Sequence, residues 1–395
     1  MIKFFLAAMS VLFSSSQLDA RRIYPKTIAQ FVQEYPETKL IACTHNHAFN
    51  YTPYPLYEKY PQSHFQSTGY YNDLSVIEIP SGVAYIDLAG RIFVNDRYIR
   101  ETFYSPFDPF IEGFMGRIGD IEYLEEYDLG YVAKIPGRVA ILSHPAPFMY
   151  GHWVFDILGQ LALLEMHNIE YDYLWIPYNV SFMQETLRIW GINPDKIIPL
   201  NLTAAIQADT IIIPTTVAKN INRVSPHVAL STFYIDITLK YVRDKMLNAI
   251  KTSDLVGVFS DKIFISRRGA KRFVPNEDQI FELFKPLGFE RYDLESLSVR
   301  EQIALFHNAR TIVSFVGSGS TNIMFCQPNT LFIEIVQCFV DPTFFLVSDI
   351  FKLKYDYINA STEHDVLHGF GLSAEREFPL NLIEEYIKTH FEEKQ

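Results

Sequence analysis

The sequence predicts an α/β protein built on parallel sheets wound by helices. Two observations carry this reading. Between residues 262 and 335, short apolar runs and amphipathic segments follow one another in the order β, α, β, α, β, α, β. Alternation of this kind means a parallel sheet with helices on both faces. At residue 151 the texture changes from short apolar runs broken by turn signals to apolar residues at helical spacing. The length of 395 residues suits two domains, and a composition that is 48% hydrophobic supplies ample material for their cores.

Charge and cysteine usage narrow the partners. The net charge is −12, and no basic cluster exceeds short Arg-Arg pairs, which argues against a nucleic-acid partner. A local anion site remains compatible with that total, because a few arginines at a cleft suffice. Cys43, Cys326 and Cys338 have no zinc spacing, and an odd number suits buried thiols better than a disulfide framework.

Taken in order, the chain opens with "MIKFFLAAMSVLFSSSQLDARR". Residues 1–20 read as a signal peptide or short N-terminal anchor: Lys3, an apolar run Phe4–Phe13, then small polar residues, although Leu18 stands where a small residue is preferred. The alternative is a buried N-terminal helix. The run is too short to span a bilayer, so membrane association would come through this segment only. If it is a signal, the protein is secretory or periplasmic; otherwise it is cytoplasmic.

Residues 22–250 form the predicted first lobe. "SVIEIPSGVAYID" and "YVAKIPGRVAILSH" each read as strand, turn, strand. "GHWVFDILGQLALLEMHN" is a helix with Trp153, Ile157, Leu161 and Leu164 on its apolar stripe. A strand at Tyr173–Ile176 follows, then a helix at 181–190 closed by Gly191, strands at Lys196–Leu200 and Thr210–Pro214, and a long helix over about 226–250. The boundary falls near 250–260. Residues 255–375 form the second, Rossmann-like lobe. Its strand 262–266 leads to "RRGAKRFVPN"; Asn276 with Gln279 makes a capping box for a helix that Gly288 ends. A short strand lies near Glu290–Tyr292, and Ser298 with Glu301 caps the helix Val299–Ala309. Residues 376–395 form a terminal helix.

The candidate chemistry sits where open α/β sheets bind ligands, beyond the carboxyl ends of their strands. "TIVSFVGSGSTN" brings Gly317 and Gly319, which let backbone approach a ligand, and Ser318, Ser320, Thr321 and Asn322, which supply donors at a helix start. Arg267 and Arg268 follow another strand and could neutralise a phosphate. Glu334 closes a third strand and could accept from ribose hydroxyls. Together the set would suit a nucleotide diphosphate. Plainer readings stand beside it: a turn with N-cap serines, a solvated Arg pair, a Glu paired to a neighbouring cation. The turn is not a P-loop, a dinucleotide fingerprint or a nucleophile elbow. His152 and Asp156, spaced i, i+4, share a helix face away from the Trp153/Ile157 stripe. They suit either proton transfer or a local helix pair. No H-E-x-x-H and no D-x-D occurs, so no metal site is expected.

The run from "KIFISRRGAKRFVPNEDQIFELF" through "GFERYDLESLSVREQ" to "FVGSGSTNIMFCQPNTLFIEI", with "YGHWVFDILGQLALLE" before it, resembles glycosyltransferase family 61. The likeness lies in ISRR, then Arg and Asn-Glu, Gly-Phe-Glu, Ser-x-x-Glu-Gln, Gly-small-Gly-x-Thr-Asn, a strand ending in Glu, and an H-W-x-x-D helix. It covers about half the chain in order, and residues 22–145 show no clear match.

The resemblance implies the GT-B fold: two Rossmann-like lobes facing a cleft, with a C-terminal helix returning towards the first lobe. It implies an inverting, metal-independent enzyme with no cofactor. The donor would be a nucleotide sugar, commonly UDP-linked in the family. A GlcNAc- or pentose-like sugar would pass to a hydroxyl of a glycan or glycoprotein acceptor, as in the EGF-domain O-GlcNAc transferases and xylosyltransferases. The donor diphosphate would sit on Gly317–Asn322 with Arg267 or Arg268, and Asp156 or His152 would be the base. Two departures from the pattern stand out: Val316 stands where a His is usual, and Gly159-Gln160 where Pro-Arg is usual. Rival readings are a catalytically inactive nucleotide-sugar or glycan-binding protein on the same fold and, on the Rossmann pattern alone, a redox enzyme.

Overall fold

The structure is a computed structural model. It describes residues 22–23, 25–44, 48–50, 68–70, 74–87, 90–102, 124–125, 132–200, 205–221, 231–250, 259–269, 273–337, 341–361 and 376–392. The predicted signal or anchor at 1–20, the start of the predicted 226–250 helix and Cys338 lie outside the described residues. No described helix is long and apolar enough to cross a membrane.

Two sheets organise the chain. The second is the simpler: five parallel strands, Lys262–Ile265, Glu290–Tyr292, Thr311–Phe315, Leu331–Val336 and Lys354–Asn359. Numbered along the chain, their spatial order is 2-1-3-4-5. The order reverses between Lys262–Ile265 and Thr311–Phe315, which is where a doubly wound sheet opens a crevice for ligands. Its three inner strands, Lys262–Ile265, Thr311–Phe315 and Leu331–Val336, read as largely apolar runs because both faces are covered. Ile263, Ile265 and Ile312 face one core; Phe264, Val313 and Phe315 face the other.

Among the described residues the first sheet has nine strands and is mixed. Ile197–Pro199, Tyr173–Ile176, Val132–Ile141 and Ala205–Pro214 run parallel, and Leu74–Ile86 joins Ala205–Pro214 antiparallel. Ile92–Val94, Arg97–Ile99 and Pro25–Lys26 extend this edge, and Lys39–Thr44 pairs with Leu74–Ile86. The two predicted strand–turn–strand units are instead single long strands. Leu74–Ile86 passes through Pro80-Ser81, with Ser81 at φ 54, and Val132–Ile141 through Pro136-Gly137, with Gly137 at φ 95. Ala205–Pro214 lies between them and pairs with both on either side of Asp209, whose carboxylate accepts from the Gly137 amide at 2.7 Å. Pro136-Gly137 therefore marks a bulge, where one extra residue opposes Ala205–Pro214 without ending the strand, whereas Pro80-Ser81 passes Asp209 in unbroken register.

One core layer fills the space between the sheets. It takes Leu74, Val76, Ala140, Leu174 and Ile212 from the first sheet and Ile263, Ile312, Phe332 and Val336 from the second. Between them lie the helices Leu158–Met166, Ser181–Trp190, Asp236–Ala249 and Val299–Asn308. Gly191 ends its helix in the left-handed region at φ 90, as predicted. Ser298 and Glu301 form the predicted capping box.

Three other expectations are corrected. Ser231–Tyr234 is a strand paired with Ala218–Ile221, and the long helix begins only at Asp236. Asn276 makes no cap; its amide instead exchanges two bonds with the Phe378 backbone, at 2.8 and 2.9 Å. That long-range pair ties down the C-terminal segment. The helix Leu380–Ile387 then packs Ile383, Tyr386 and Ile387 on the outer face of the second sheet, beside Glu277–Phe284, rather than returning towards the first.

Candidate active site

The first half of the site follows the strand Val132–Ile141. The chain leaves its carboxyl end through Leu142–Met149 and enters a helix at Tyr150. Backbone bonds fix this loop. Ser143 donates its N–H to Gln160 Oε1 and accepts from Gln160 Nε2, both at 3.2 Å. Ser143 Oγ donates to the Gly90 carbonyl at 3.0 Å. Gly90 has φ +81, and a Cβ there would lie 2.9 Å from the His144 carbonyl, so only glycine allows this approach. The Ala146 amide donates to His144 Nδ1 at 3.0 Å.

The helix opens irregularly. Tyr150–His152 is α-helical, Trp153–Ile157 is a π-turn, and Leu158–Met166 is α-helical again. π-turns recur at functional sites because the wider turn re-aims side chains. All five residues of this one are buried, anchored by Trp153 Nε1 donating to Thr186 Oγ1 at 2.7 Å. Asp156 is therefore in the core at 2% exposure, not on an open face apart from the apolar stripe as expected. Gly159 sits where a Cβ would come 2.7 Å from Val217 Cγ2, so a larger residue would push the helix off its neighbour.

His152 Nδ1 meets Asp156 Oδ2 at 3.0 Å. The His144 ring stacks on His152 with centroids 4.2 Å apart, and His144 Nε2 lies 3.6 Å from the same Oδ2. Burial pushes the Asp156 carboxyl up, opposed by the His152 hydrogen bond. Burial, and then repulsion from His152, hold His144 well below the usual histidine range. Among the described residues these three could hold a metal ion, their ligand atoms lying within 4.8 Å of one another. The Ala146 amide weighs against that use. It needs a lone pair on Nδ1, which places the ring proton on Nε2, whereas a ligating histidine donates from its other nitrogen.

The second half lies at the switch point of the second sheet. Ser266 and Arg267 follow Lys262–Ile265, and both are held by Glu277, a buried carboxylate. Its Oε1 accepts from Ser266 Oγ and its Oε2 from the Arg267 amide, each at 2.7 Å. The Arg267 side chain crosses to the neighbouring strand end, where Nη1 donates to the Val316 carbonyl at 3.1 Å. It lies on Gly317; a Cβ at that position would overlap the guanidinium.

The turn itself runs straight into the 3-10 helix Ser318–Phe325. Ser318 and Gly319 are partly exposed, but Ser320, Thr321 and Asn322 are fully buried and serve the fold. Ser320 Oγ pairs with Ser314 Oγ at 3.0 Å, and Asn322 Nδ2 donates to Gln302 Oε1 at 3.0 Å. Two more expected ligands stand apart. Arg268 is exposed and ion-paired with Asp278. Glu334 is fully buried, accepts from Tyr355 Oη at 2.6 Å and is pushed up to about 8 by desolvation, so it is not presented to a ribose.

The two halves touch. Tyr150 Oη donates to Asn322 Oδ1 at 2.9 Å. A Cβ on Gly151 would lie 3.1 Å from Thr321 Oγ1 and 4.0 Å from Ser318 Oγ, so the helix start rests on the turn. Glu185 adds a clasp, accepting from the Val299 and Arg300 amides at 2.9 and 3.2 Å. His152, one residue beyond Gly151, is thus brought beside the Gly-Ser turn although more than a hundred and sixty residues separate them in sequence. Sequence reasoning marked Gln160 only as a departure from the family pattern and missed His144, Glu185 and Glu277. Only Glu277 carried a signal, as the Glu of the Asn-Glu pair after the arginines.

Comparison with known proteins adds one match. The family model described as Glycosyltransferase 61 matches residues 150–333, from the first residue of the His152 helix to the strand that follows the Gly-Ser turn. No curated protein sequence matches the chain.

Proposed function

Residues 150–333 belong to glycosyltransferase family 61, and from that premise we propose that this chain is an inverting, metal-independent glycosyltransferase of GT-B architecture, using a UDP-linked GlcNAc- or pentose-like donor and a glycan or glycoprotein hydroxyl as acceptor. The division would be 22–250 for the acceptor lobe and 255–375 for the donor lobe. The observation that carries the reading is the contact of Tyr150 and Gly151 with Asn322, Thr321 and Ser318, which sets a His–Asp pair beside an anion-suited turn.

The roles follow from exposure. His152, a quarter exposed in its side chain, is the base, and buried Asp156 orients it. With Nδ1 engaged by Asp156, Nε2 takes the proton of the acceptor hydroxyl. That oxygen attacks the anomeric carbon as the bond to the leaving diphosphate breaks on the opposite face, inverting the centre. Arg267, Ser318 and the first amides of Ser318–Phe325 receive the departing charge; preorganised donors of this kind usually supply the largest catalytic term. Arg267 is prepared for this by Glu277, which fixes its backbone.

The half-buried apolar Val316 supports a second reading, a binding protein without turnover. Assaying transfer and donor hydrolysis with UDP-GlcNAc and UDP-xylose decides between them. Sugar release that disappears in His152→Ala supports the enzyme. UDP binding without turnover in the unmodified protein supports the binder.

A further inference from the structure

We infer that His144 is a positioning residue for the proton-accepting pair, its Nε2–H directed to Asp156 so that the carboxylate stays ionised and aimed at His152. The inference rests on the reading of His152 as the base.

The tautomer is fixed by the backbone. Because the Ala146 amide donates to Nδ1 at 3.0 Å, the neutral ring carries its proton on Nε2. That nitrogen lies 3.6 Å from Asp156 Oδ2, slightly beyond hydrogen-bond length. Catalytic hydrogen bonds are commonly long before substrate binds and tighten in the complex.

Asp156 needs such a donor. Its Oδ2, the oxygen that His144 Nε2 faces, takes the His152 bond, while its buried Oδ1 has no hydrogen-bond partner. A buried carboxylate so poorly served is driven towards its protonated form, the direction in which burial already moves it. Protonated, it could not hold the positive ring that His152 becomes during transfer.

His144 is built to donate without competing. It is buried, its ring is stacked on His152, and burial keeps it neutral. Its backbone is held on two sides, by Gly90 and through Ser143 by Gln160. In the transfer step the acceptor proton moves to His152 Nε2, the Nδ1 proton stays shared with Asp156, and His144 keeps its own. Among the described residues, the titratable groups seen to act on the pair are its own two members and His144; Tyr150, nearby on the same helix, responds to burial and Glu185.

The test uses the full chain labelled with [15N]histidine, together with His144→Asn and His144→Gln. Asn can keep an acceptor for Ala146 but has no donor at the Nε2 position; Gln places an amide N–H there. His144 of the unmodified protein should show the Nε2–H tautomer and not titrate between about pH 5 and 8. In His144→Asn, losing a donor to the anion raises the proton affinity of the His152–Asp156 pair. The acid limb of kcat/KM for UDP-GlcNAc then moves to higher pH, and kcat falls about tenfold with KM unchanged. His144→Gln should restore the limb. An Nδ1–H tautomer, or an unmoved limb in folded His144→Asn, overturns the inference; if that variant does not fold, a displaced limb in His144→Gln does so. His152→Ala with full turnover would instead overturn the reading of the base, while the tautomer still reports on His144.

Discussion

The two strand-end regions solve opposite problems. At the first sheet, Ser143, Gln160, Gly90 and Ala146 form a frame, and the side chains it holds, His144, His152 and Asp156, are the proposed working groups. At the second sheet the relation is reversed. Ser320, Thr321 and Asn322 are spent on packing, and what faces the crevice is backbone, Ser318 and one arginine. Under the proposed function the difference would follow from the tasks. Proton transfer needs a titratable group in a tuned environment. A diphosphate needs only fixed N–H dipoles and positive charge.

Four substitutions probe this contrast, in descending order of effect. His152→Ala removes the proposed base and should lower kcat by about a hundred- to ten-thousandfold in a transfer assay, leaving thermal stability near that of the parent. Gly317→Ala pushes a methyl into the space of the Arg267 guanidinium, the far end of a flexible side chain. The fold should persist while UDP binding weakens about tenfold by calorimetry, through loss of a charge-assisted contact.

Glu334→Gln tests whether that carboxyl belongs to the fold rather than to a ribose. Its folded pKa of about 8 lies above its unfolded value of 4.5. The folded state therefore binds more protons between these values, so stability is full below 4.5 and declines as pH rises towards 8. Gln removes this decline, raising stability at pH 8 by on the order of a few kcal/mol in denaturant titrations, with donor affinity unchanged. Arg268→Ala should alter turnover less than about twofold, since exposed ion pairs such as Arg268–Asp278 contribute little.

Local signals were legible in the sequence where local physics decides. Gly191 and the Ser298/Glu301 box needed only their immediate neighbours, and both stand as read. Where distant partners compete, local signals mislead. Asn276 looks like a cap but bonds Phe378, about a hundred residues away. Pro-Gly and Pro-Ser look like hairpin turns, yet a neighbouring strand on each side of Asp209 carries both strands through them.

The site follows the same rule. His152 and Asp156 were visible as an i, i+4 pair. Their neighbour His144 reaches them only because a loop folds back over the helix start. The polar residues 320–322 could not be sorted into ligands and packing groups from type alone, because Ser314, Gln302 and Tyr150, which engage Ser320 and Asn322, come from other elements. The strand Lys354–Asn359 escaped notice for a related reason: it is an edge strand, and only its Ile358 is buried.

The central claim is that the first-sheet region handles the proton and the second-sheet region holds the donor. Calorimetric titration of UDP into His152→Ala and Arg267→Ala, paired with transfer rates, tests it most directly. The account predicts that His152→Ala binds UDP as the parent does yet transfers no sugar, whereas Arg267→Ala loses at least about tenfold in UDP affinity. Equal loss of UDP binding in both variants, or undiminished transfer by His152→Ala, would contradict it.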